Sequence, residues 1–535
     1  MTVALGLDIG TTSTIGILID TGGRVLATAS RPVDLHAPQP GWAEEDPEQW
    51  WRNVGEVVRE LLGASRLAPA AIAAVGVTGM LPTVVLLDGE GRLIRRSIQQ
   101  SDGRVGAEVL ELRREVDEAA FLARTGNGVN QQLVATKLRW LRRHEPDAFA
   151  RIGTVLGSYD WINWKLTGRR SLERNWALES GFHDLGRRGI AADLVALAGI
   201  EPAALPPVHA SHAVIGEVTG EAAAHTGLTA GTPVVAGCAD HIASAYVAGV
   251  RAPGDVLLKF GGAGDFLLAT ATPRPDPRLF LDFHIVPGLF MPNGCMAASG
   301  AVLNWFVREL GGGRSHAELD RLAAATPPGA DGLVMLPYFL GEKTPLHDPD
   351  ARGVLVGLGL HHTLGHLWRA ALEGVVMGFR HHVEVARELG YPVTRLLASD
   401  GGAASRVWMQ IAADALQMPV RLLEGHPGSC LGAAWVAAHG IGAVTDWEGV
   451  ERFVRPGALI EPRARTASVY DELWGLYRES YRALAPAFPA CRRISTAGSG
   501  RGDRLTERGN PRPGTTPPSA ASARAPADRA RRRCP

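Results

Sequence analysis

The sequence predicts an α/β protein built from two units of similar plan, and three observations support this. The chain has 535 residues, more than one hydrophobic core usually supports, so two domains are expected. Short apolar strands alternate with amphipathic helices through most of the chain. The opening pattern of apolar strand, small polar turn and apolar strand over residues 5–18 returns in outline from Asp255. We therefore expect an approximate internal duplication, with a period far longer than that of a solenoid.

In the first unit, strands are predicted where apolar runs end in turn residues. A helix should follow the third strand, because Asp46 can cap its N-terminus and Pro47 can take its first position. The pattern is then mainly helical to about residue 170, and residues 233–249 predict a buried strand that runs straight into a helix. The predicted strands before that point are residues 4–9, 14–19, 25–30, 73–77 and 83–87.

The second unit repeats this alternation from Asp255. Strands are predicted over residues 333–340 and 396–399, and the second of these ends at a glycine turn. Apolar side chains at helical spacing predict the helices of this unit. These helices are residues 366–389, 427–438 and 470–484, and one more helix after the glycine turn carries Val407, Trp408, Ile411 and Ala415.

From these patterns we expect an N-terminal domain over residues 1–250, a C-terminal domain over residues 251–493 and a tail over residues 494–535. The tail is rich in Pro, Gly, Ser, Ala and Arg and nearly lacks large apolar residues. It cannot bury a core, so we expect it to be disordered. Its arginines leave open a role in binding nucleic acid or a protein partner, but a solvated extension is the favoured interpretation.

The composition indicates a cytoplasmic enzyme. The formal net charge is +0, which gives no electrostatic reason to expect nucleic acid or a membrane surface as a partner. No apolar run approaches the ~20 residues of a membrane span, and the start of the chain lacks the features of a signal peptide. The five cysteines are widely spread and never form a C-x-x-C pair, which favours reduced thiols over disulfides or a zinc site.

Three glycine-containing turns at strand ends could hold a nucleotide. The first, Gly10 to Thr12, follows a strand carrying Asp8, and a carboxylate beside turn amides can hold Mg²⁺ next to a phosphate. The alternative is an ordinary hairpin with a polar turn. The chain has neither a G-x-x-x-x-G-K-[ST] nor a G-x-G-x-x-G motif. The other two turns are Gly261-Gly262-Ala263-Gly264 and Asp400-Gly401-Gly402-Ala403, and the latter would let adenine or ribose approach the backbone closely.

Asp240 is the candidate general base. It follows the predicted buried strand, with small residues around it, and a carboxylate at a strand end facing a cleft can accept the proton of an attacking alcohol. The alternative is a helix N-cap, where a carboxylate also suits the helix dipole. The nearby phosphate-type turns favour the base.

Several segments, in the right order, resemble the FGGY carbohydrate kinases, and the resemblance covers about residues 3–490. Among them is EDPEQWW, a segment common in the xylulokinase branch of that family. Nine matches in order make a chance resemblance negligible. The matching segments are DIGTTST, EDPEQWW, TKLRWLRRHEP, AGCADHIASA, KFGGAGD, LPYFLGEKTPLHDPDARGVLVGL, AALEG, SDGGAASRVWMQIAADAL and SCLGAAWVA.

The resemblance implies two actin-like (ribonuclease H-like) domains with ATP and Mg²⁺ in the cleft between them. It also implies transfer of the γ-phosphoryl group to a hydroxyl of a small sugar or polyol. Carried over residue by residue, Asp240 would be the general base and Asp8 would position Mg²⁺. The residues expected to contact ATP are Thr11, Thr12, Gly261, Gly262, Gly401, Gly402 and Ala403.

The sequence departs from the xylulokinase pattern where the acceptor should bind. The usual Met-His pair falls on Leu81 and Pro82, the W-N-D-G-R motif keeps only Asp102, Gly103 and Arg104, and the Asn after the catalytic Asp is His241. Sites that hydrogen-bond a substrate hydroxyl discriminate strongly between substrates. These changes therefore leave open another ketose or a polyol as the acceptor. We expect the acceptor to contact Leu81, Asp102, Arg104 and His241.

The leading hypothesis is therefore an ATP-dependent kinase of a pentulose, with D-xylulose as the first expectation. Ribulose, erythritol and glycerol are the alternative acceptors. A hypothesis from another class is an actin-fold protein that binds nucleotide but phosphorylates no sugar; this predicts loss of the base, and Asp240 is present. The sequence leaves the oligomeric state open, with a homodimer among the alternatives.

Overall fold

A computed structural model describes residues 2–425 and 428–498. Met1–Phe488 belong to one compact unit, and the residues from 489 onward belong to a second, of which 489–498 are described. The predicted tail from residue 499 lies outside the described residues. Residues 494–498 form the end of a helix that begins at Phe488.

Strands of two large sheets and of several two-stranded pairs occur in both halves of the chain. Those of the first half are β1 (Val3–Ile9), β2 (Ser13–Asp20), β3 (Arg24–Pro32), β4 (Glu44–Glu45), β5 (Ile72–Gly79), β6 (Val85–Leu87), β7 (Ser97–Ile98), β8 (Thr154–Leu156), β9 (Leu172–Glu173), β10 (His183–Asp184), β11 (Gly189–Ile190), β12 (Val208–His209), β13 (Val214–Glu217), β14 (Pro233–Val235) and β15 (Cys238–Ala239). Those of the second half are β16 (Asp255–Phe260), β17 (Gly264–Leu268), β18 (Phe280–Phe283), β19 (Phe290–Met296), β20 (Val334–Leu336), β21 (Val354–Val356), β22 (Arg395–Ser399), β23 (Val420–Glu424) and β24 (Arg455–Ile460).

The helices lie between these strands. In the first half they are α1 (Pro47–Ser65), α2 (Gly106–Glu115), α3 (Glu118–Thr125), α4 (Val134–His144), α5 (Pro146–Ala150), α6 (Ser158–Thr167), α7 (Arg174–Glu179), α8 (Ala192–Ala196), α9 (Gly220–Thr226) and α10 (Asp240–Ala248). In the second half they are α11 (Gly300–Glu309), α12 (His316–Ala324), α13 (Leu364–Glu388), α14 (Arg406–Leu416), α15 (Ser429–Gly440), α16 (Ala467–Leu484) and α17 (Phe488–Gly498). Short 3₁₀ turns lie at Pro69–Ala71, Pro202–Ala204, Ala330–Gly332, Gly401–Ala404, Gly449–Phe453, Ala464–Thr466 and Ala485–Ala487.

The two large sheets share one plan, as the repeated sequence pattern predicted. In the first, the strand order is β13-β14-β5-β1-β2-β3, with β1 antiparallel to β2 and parallel to β5. In the second, the order is β18-β19-β17-β16-β22-β23-β24, with β16 antiparallel to β17 and parallel to β22. The carboxyl ends of β1 and β16 therefore both enter a tight turn beside the end of a parallel strand, which is where side chains can form a site.

Helix α15 comes late in the chain but packs on the first sheet. Its apolar residues belong to the same buried cluster as β1 and β5. Gly6 on β1 and Gly76 on β5 permit this close approach: a Cβ at Gly6 would overlap the carbonyl oxygen of Cys430, and one at Gly76 would overlap that of Ala433. The first residue of α15, Ser429, thereby reaches the end of β1.

Most predicted elements are present, with changed boundaries. The cap of α1 is confirmed, since the Asp46 carboxylate accepts a hydrogen bond from the Glu48 amide at 3.0 Å and Pro47 is the first helical residue. The strand predicted over residues 333–340 is only β20, because the apolar run continues into a loop after Leu336. Among the described residues, no helix combines the length and the apolar character needed to cross a membrane.

Candidate active site

A cavity of about 690 Å³ brings together the ends of strands from both sheets. The first sheet supplies Asp8 at the end of β1, and the helix that follows β15 supplies Asp240. The second sheet supplies Lys259 on β16 and Asp265 on β17. Three acids and a lysine from four separate elements thus face one space, at the edge where the parallel strands end.

Asp8 is buried and only partly hydrogen-bonded. Its Oδ2 accepts a hydrogen bond from the Ser429 hydroxyl at 2.6 Å, whereas Oδ1 has no partner among the described residues. Burial, and then the charge of Asp240, raise the pKa of Asp8 to about 7, against the lowering effects of Ser429 and Lys259. A buried carboxylate oxygen without a partner, beside a second carboxylate, is suited to a divalent cation.

Asp240 is the first residue of α10, and its side chain keeps an exposed fraction of 36% because it faces the cavity. Its Oδ1 accepts a hydrogen bond from the His241 backbone amide at 2.6 Å. Burial alone would raise the pKa of Asp240, but the hydrogen bond from His241 and the charges of His241 and Lys259 outweigh it and lower that pKa. Of the two neighbouring carboxylates, Asp240 therefore keeps its charge at neutral pH and Asp8 holds a proton more readily.

The His241 ring links the two carboxylates of Asp240 and Asp282. Its Nε2 lies 3.0 Å from Asp282 Oδ2, and its Nδ1 lies 3.4 Å from Asp240 Oδ1. These two partners outweigh burial and raise the pKa of His241 well above its ordinary value. Asn293 donates a second hydrogen bond to Asp282 at 2.8 Å. The imidazolium thus holds Asp240 in place from one side of the cavity.

Glu179, at the end of α7, completes this network. Burial, and then the charge of Asp282, raise the pKa of Glu179 well above its ordinary value. Ligand-type atoms of Glu179, His241 and Asp282 lie within 4.8 Å of one another. Because His241 already uses both ring nitrogens toward carboxylates, we interpret this group as a hydrogen-bonded network and not as a metal centre.

A second cavity, of about 500 Å³, lies beside the glycine turns. Gly261, Gly262, Gly401 and Gly402 line it, together with residues at the start of α11 and of α12. A Cβ at Gly401 would meet nothing within 4 Å. Since Lys259 lines the first cavity and the next residue, Phe260, lines the second, the two cavities lie on opposite sides of the end of β16.

Three residues predicted to contact the nucleotide do not line either cavity. The Thr11 hydroxyl donates to the sulfur of Met80 at 2.8 Å, and Thr12 is exposed at the tip of the β1–β2 turn. Ala403 is buried, and its neighbour Ala404 lines the second cavity instead. The predicted roles of these three residues stay predictions.

Of the predicted acceptor contacts, Leu81 and His241 line the first cavity, but Asp102 and Arg104 do not. Asp102 is buried, accepts a hydrogen bond from the Ala43 amide at 2.6 Å and pairs with Arg104 at 2.7 Å. Arg104 also pairs with Glu44 and lies over the Trp42 ring at 3.8 Å from its centroid. This geometry gives no support to an acceptor contact, because both side chains are used inside the protein.

Several cavity residues were not predicted from the sequence. Glu179 and Asp282 are more than a hundred residues apart, and only the fold brings them to His241. Lys259 had a local signal, since it is a lone cation at the end of an apolar strand directly before a glycine turn. Other unpredicted lining residues are Gln100, Gln132, Asp265, Asn293, Lys343 and Ser429.

Comparison with known proteins places the chain in one family. Residues 3–246 match the N-terminal domain, and residues 258–441 the C-terminal domain, of the FGGY family of carbohydrate kinases. The chain is 30% identical over 484 residues to a xylulose kinase of Bacillus subtilis, covering 90% of this chain and 97% of that one. It is 32% identical over 462 residues to a glycerol kinase of Nocardia farcinica, covering 83% and 91%.

A solved structure also resembles this chain over nearly its whole length. A crystal structure of xylulose kinase from Rhodospirillum rubrum is 57% identical, covers 91% of this chain and 99% of that chain, and superposes with a TM-score of 0.87. This similarity covers 91% of the chain, so it concerns the complete two-domain arrangement.

Proposed function

The chain belongs to the FGGY family of carbohydrate kinases, and from that premise we propose that it transfers the γ-phosphoryl group of ATP to a hydroxyl of a pentulose, with D-xylulose as acceptor. The observation that carries this proposal is the convergence of Asp8, Asp240 and Lys259 on one cavity beside a glycine-lined one. We assign the acceptor to the first cavity and the adenosine to the second. Residues 1–250 would then supply the acceptor side and residues 251–493 the nucleotide side.

Asp240 is the proposed general base. It is charged and faces the cavity, so it can accept the proton of the attacking hydroxyl. Its hydrogen bond to the His241 amide and its contact with the His241 ring fix its orientation. Burial lowers the pKa of Lys259, but the charges of Asp265, Asp400 and Asp240 outweigh it and raise that pKa. The charged Lys259 would neutralise charge on the transferred group. Positioning and charge neutralisation supply most of the rate in phosphoryl transfer.

Asp8, with Asp240 nearby, is the proposed position for Mg²⁺. The free, buried Oδ1 of Asp8 fits a cation that prefers carboxylate oxygens. When bound with ATP, Mg²⁺ neutralises charge on the phosphate oxygens. Ser429 holds the other oxygen of Asp8 and so fixes the direction of the free one.

We propose D-xylulose as acceptor because two similar proteins are xylulose kinases. The polar residues that line the first cavity bear on this choice. The Bacillus subtilis and Rhodospirillum rubrum proteins are xylulose kinases, but the glycerol kinase of Nocardia farcinica is similarly related. The cavity offers amide and carboxyl groups from Gln100, Gln132 and Glu179 for hydroxyl recognition. Several polar groups favour a polyhydroxylated acceptor over one with few hydroxyls.

A coupled ADP-release assay across D-xylulose, D-ribulose, erythritol and glycerol tests the acceptor. We expect the highest kcat/KM with D-xylulose; a clear preference for another compound contradicts that assignment. Asp240→Asn should lower kcat by about 10²–10⁴-fold while ATP still binds. Asp34→Asn is the matched control, because Asp34 is an exposed carboxylate hydrogen-bonded to Gln49. Near-normal turnover by Asp240→Asn would exclude the proposed base.

A further inference from the structure

A third cavity, of about 1080 Å³, lies apart from the two just described and has a basic lining. Its walls come from α7, the β10–β11 hairpin, the proline-rich segment before β12 and the strands β18 and β19. Arg174, His183, Arg188 and His209 line it, and none of its described lining residues carries a carboxylate. A concave space of this size with a few polar groups and apolar walls is typical of a small-molecule site.

Two of these basic side chains, the buried His183 and the half-buried Arg174, lack complete hydrogen bonding. His183 is only 6% exposed, and its Nδ1 has no hydrogen-bond partner among the described residues. The Nε of Arg174 also has none, although Nη2 of the same guanidinium donates to the His284 carbonyl. Buried polar groups are normally satisfied, so two unpartnered nitrogens on residues that line a cavity indicate a polar ligand. The Arg174 nitrogen can only donate, so this ligand must accept hydrogen bonds.

The positive charge of Arg174 is poorly compensated within the protein. The nearest acid, Glu173, has Oε1 4.0 Å from Arg174 Nε. The Glu173 carboxyl already accepts hydrogen bonds from Ser211 at 2.8 Å and from the Asn175 amide at 2.8 Å. Burial also raises the pKa of Glu173, although Arg174 opposes this. Arg174 instead lies over the Phe283 ring, 5.0 Å from its centroid.

We propose that this cavity binds a small organic anion, carrying a phosphate or a carboxylate, between Arg174, His183 and Arg188. Arginine is suited to this because its planar group donates to phosphate or carboxylate oxygens in pairs. The apolar body of the ligand would lie against Leu205 and the neighbouring prolines. This is a site separate from the one that holds the acceptor and the nucleotide.

The structure also gives a route from this cavity to the acceptor. Helix α7 begins at Arg174 in the third cavity and ends at Glu179 in the first. On β18, Phe283 lines the third cavity, while the preceding Asp282 contacts His241. Asn175 ties the two elements together, because its side chain exchanges hydrogen bonds with the Phe283 backbone at 3.1 and 2.7 Å. An anion that moves Arg174 or Phe283 would therefore shift the network around His241.

Binding is tested by isothermal titration calorimetry at low ionic strength with three probes: inorganic phosphate, ribose 5-phosphate and citrate. We expect saturable binding of at least one, and the set separates phosphate from carboxylate ligands. Arg188→Gln should weaken it about tenfold, whereas Arg187→Gln, which removes the adjacent charge outside the cavity lining, should not. Arg174→Gln should weaken binding of the probe at least as much. If that variant misfolds, the comparison of Arg188→Gln with Arg187→Gln, both at exposed positions, still tests the site.

The proposal is overturned if no probe binds saturably to the unmodified chain, or if Arg187→Gln weakens binding as much as Arg188→Gln. The coupling to the acceptor rests on the proposed function and has its own readout. A bound probe should change the KM for the acceptor at least twofold, and Arg188→Gln should remove that change. Binding without any effect on KM would exclude the coupling, and calorimetry stays informative even if the acceptor has been assigned wrongly.

Discussion

At the scale of single residues, His241 explains how an aspartate beside another carboxylate keeps its charge. The ring lies between Asp240 and Asp282 and carries a proton, since both partners favour the imidazolium. An asparagine, usual at this position in the branch that the sequence resembles, could donate a hydrogen bond but could not supply the charge. The histidine therefore sets both the orientation and the protonation of the proposed base.

We expect His241→Asn to move the acidic limb of the pH profile of kcat/KM to higher pH. His241 lowers the pKa of Asp240, so its removal raises that pKa and the base is protonated over a wider pH range. Asp282→Asn should shift the limb in the same direction by a smaller amount, because Asp282 supports His241 without a described hydrogen bond to Asp240. An unchanged acidic limb in His241→Asn would show that the ring has no influence on the base.

Two adjacent glycines should respond differently to substitution. A Cβ at Gly402 would lie 2.7 Å from the Phe260 Cβ and 2.8 Å from its carbonyl oxygen, so Gly402→Ala should lower the melting temperature. A Cβ at Gly401 faces open space beside the second cavity. Gly401→Phe should therefore leave the melting temperature nearly unchanged and raise the KM for ATP severalfold. Equal effects of both variants on stability would contradict this assignment of the cavity.

Sequence reasoning predicted several residues that line the two cavities, and their proposed roles follow from a local pattern. Asp8, Asp240, Gly261 and Gly402 all stand at strand ends, where a short motif suggests both the conformation and the chemistry. For Asp102 the geometry gives no support to the predicted acceptor contact, since a carboxylate-arginine motif gives no indication of whether the pair faces a cavity or lies inside the protein. Residues such as Glu179 and Asp282 could not be found, because their proximity depends on how two distant elements pack.

At the scale of elements, the sequence predicted helix α15 but not the sheet on which it packs. Its helical character was predicted, but its start was placed at Pro427, which lies outside the described residues, whereas the helix begins at Ser429. Its packing on the first sheet had no local signal apart from glycines on the buried strands β1 and β5. The reason for glycine at these positions becomes clear only from the packing, because a Cβ there would overlap the backbone of α15.

Gly6→Ala should test this packing. The added Cβ would overlap the Cys430 carbonyl oxygen and lie 2.9 Å from the Ala434 nitrogen, so α15 must move away from β1. We expect a loss of about 3 kcal/mol in the free energy of unfolding, together with lower activity because Ser429 leaves Asp8. Gly63→Ala is the control: Gly63 is an exposed position in α1 with nothing near its Cβ, and the change should stabilise by up to about 1 kcal/mol. A neutral Gly6→Ala would show that the helix is not held against the strand.

At the scale of the whole molecule, the duplicated sheets create one site from two copies of the same turn. The end of β1 presents a carboxylate, whereas the equivalent end of β16 presents Lys259 and two glycines. The duplication thus supplies opposite charges from equivalent positions. Neither half contains the complete set, which is why closure around the substrates should govern the rate.

This arrangement predicts that nucleotide binding and the divalent cation stabilise the molecule together. A ligand that binds only the folded state at one hundred times its Kd adds about 2.7 kcal/mol. Thermal unfolding with a non-hydrolysable ATP analogue should therefore show a higher melting temperature with MgCl₂ than with EDTA. In Asp8→Asn this difference should be strongly reduced, because the variant loses the free carboxylate oxygen, while the shift caused by the analogue in EDTA should persist. Asp34→Asn, changed at an exposed carboxylate, should keep the full difference. If Asp8→Asn keeps it as well, the cation is held elsewhere in the cavity and the role proposed for the end of β1 is wrong.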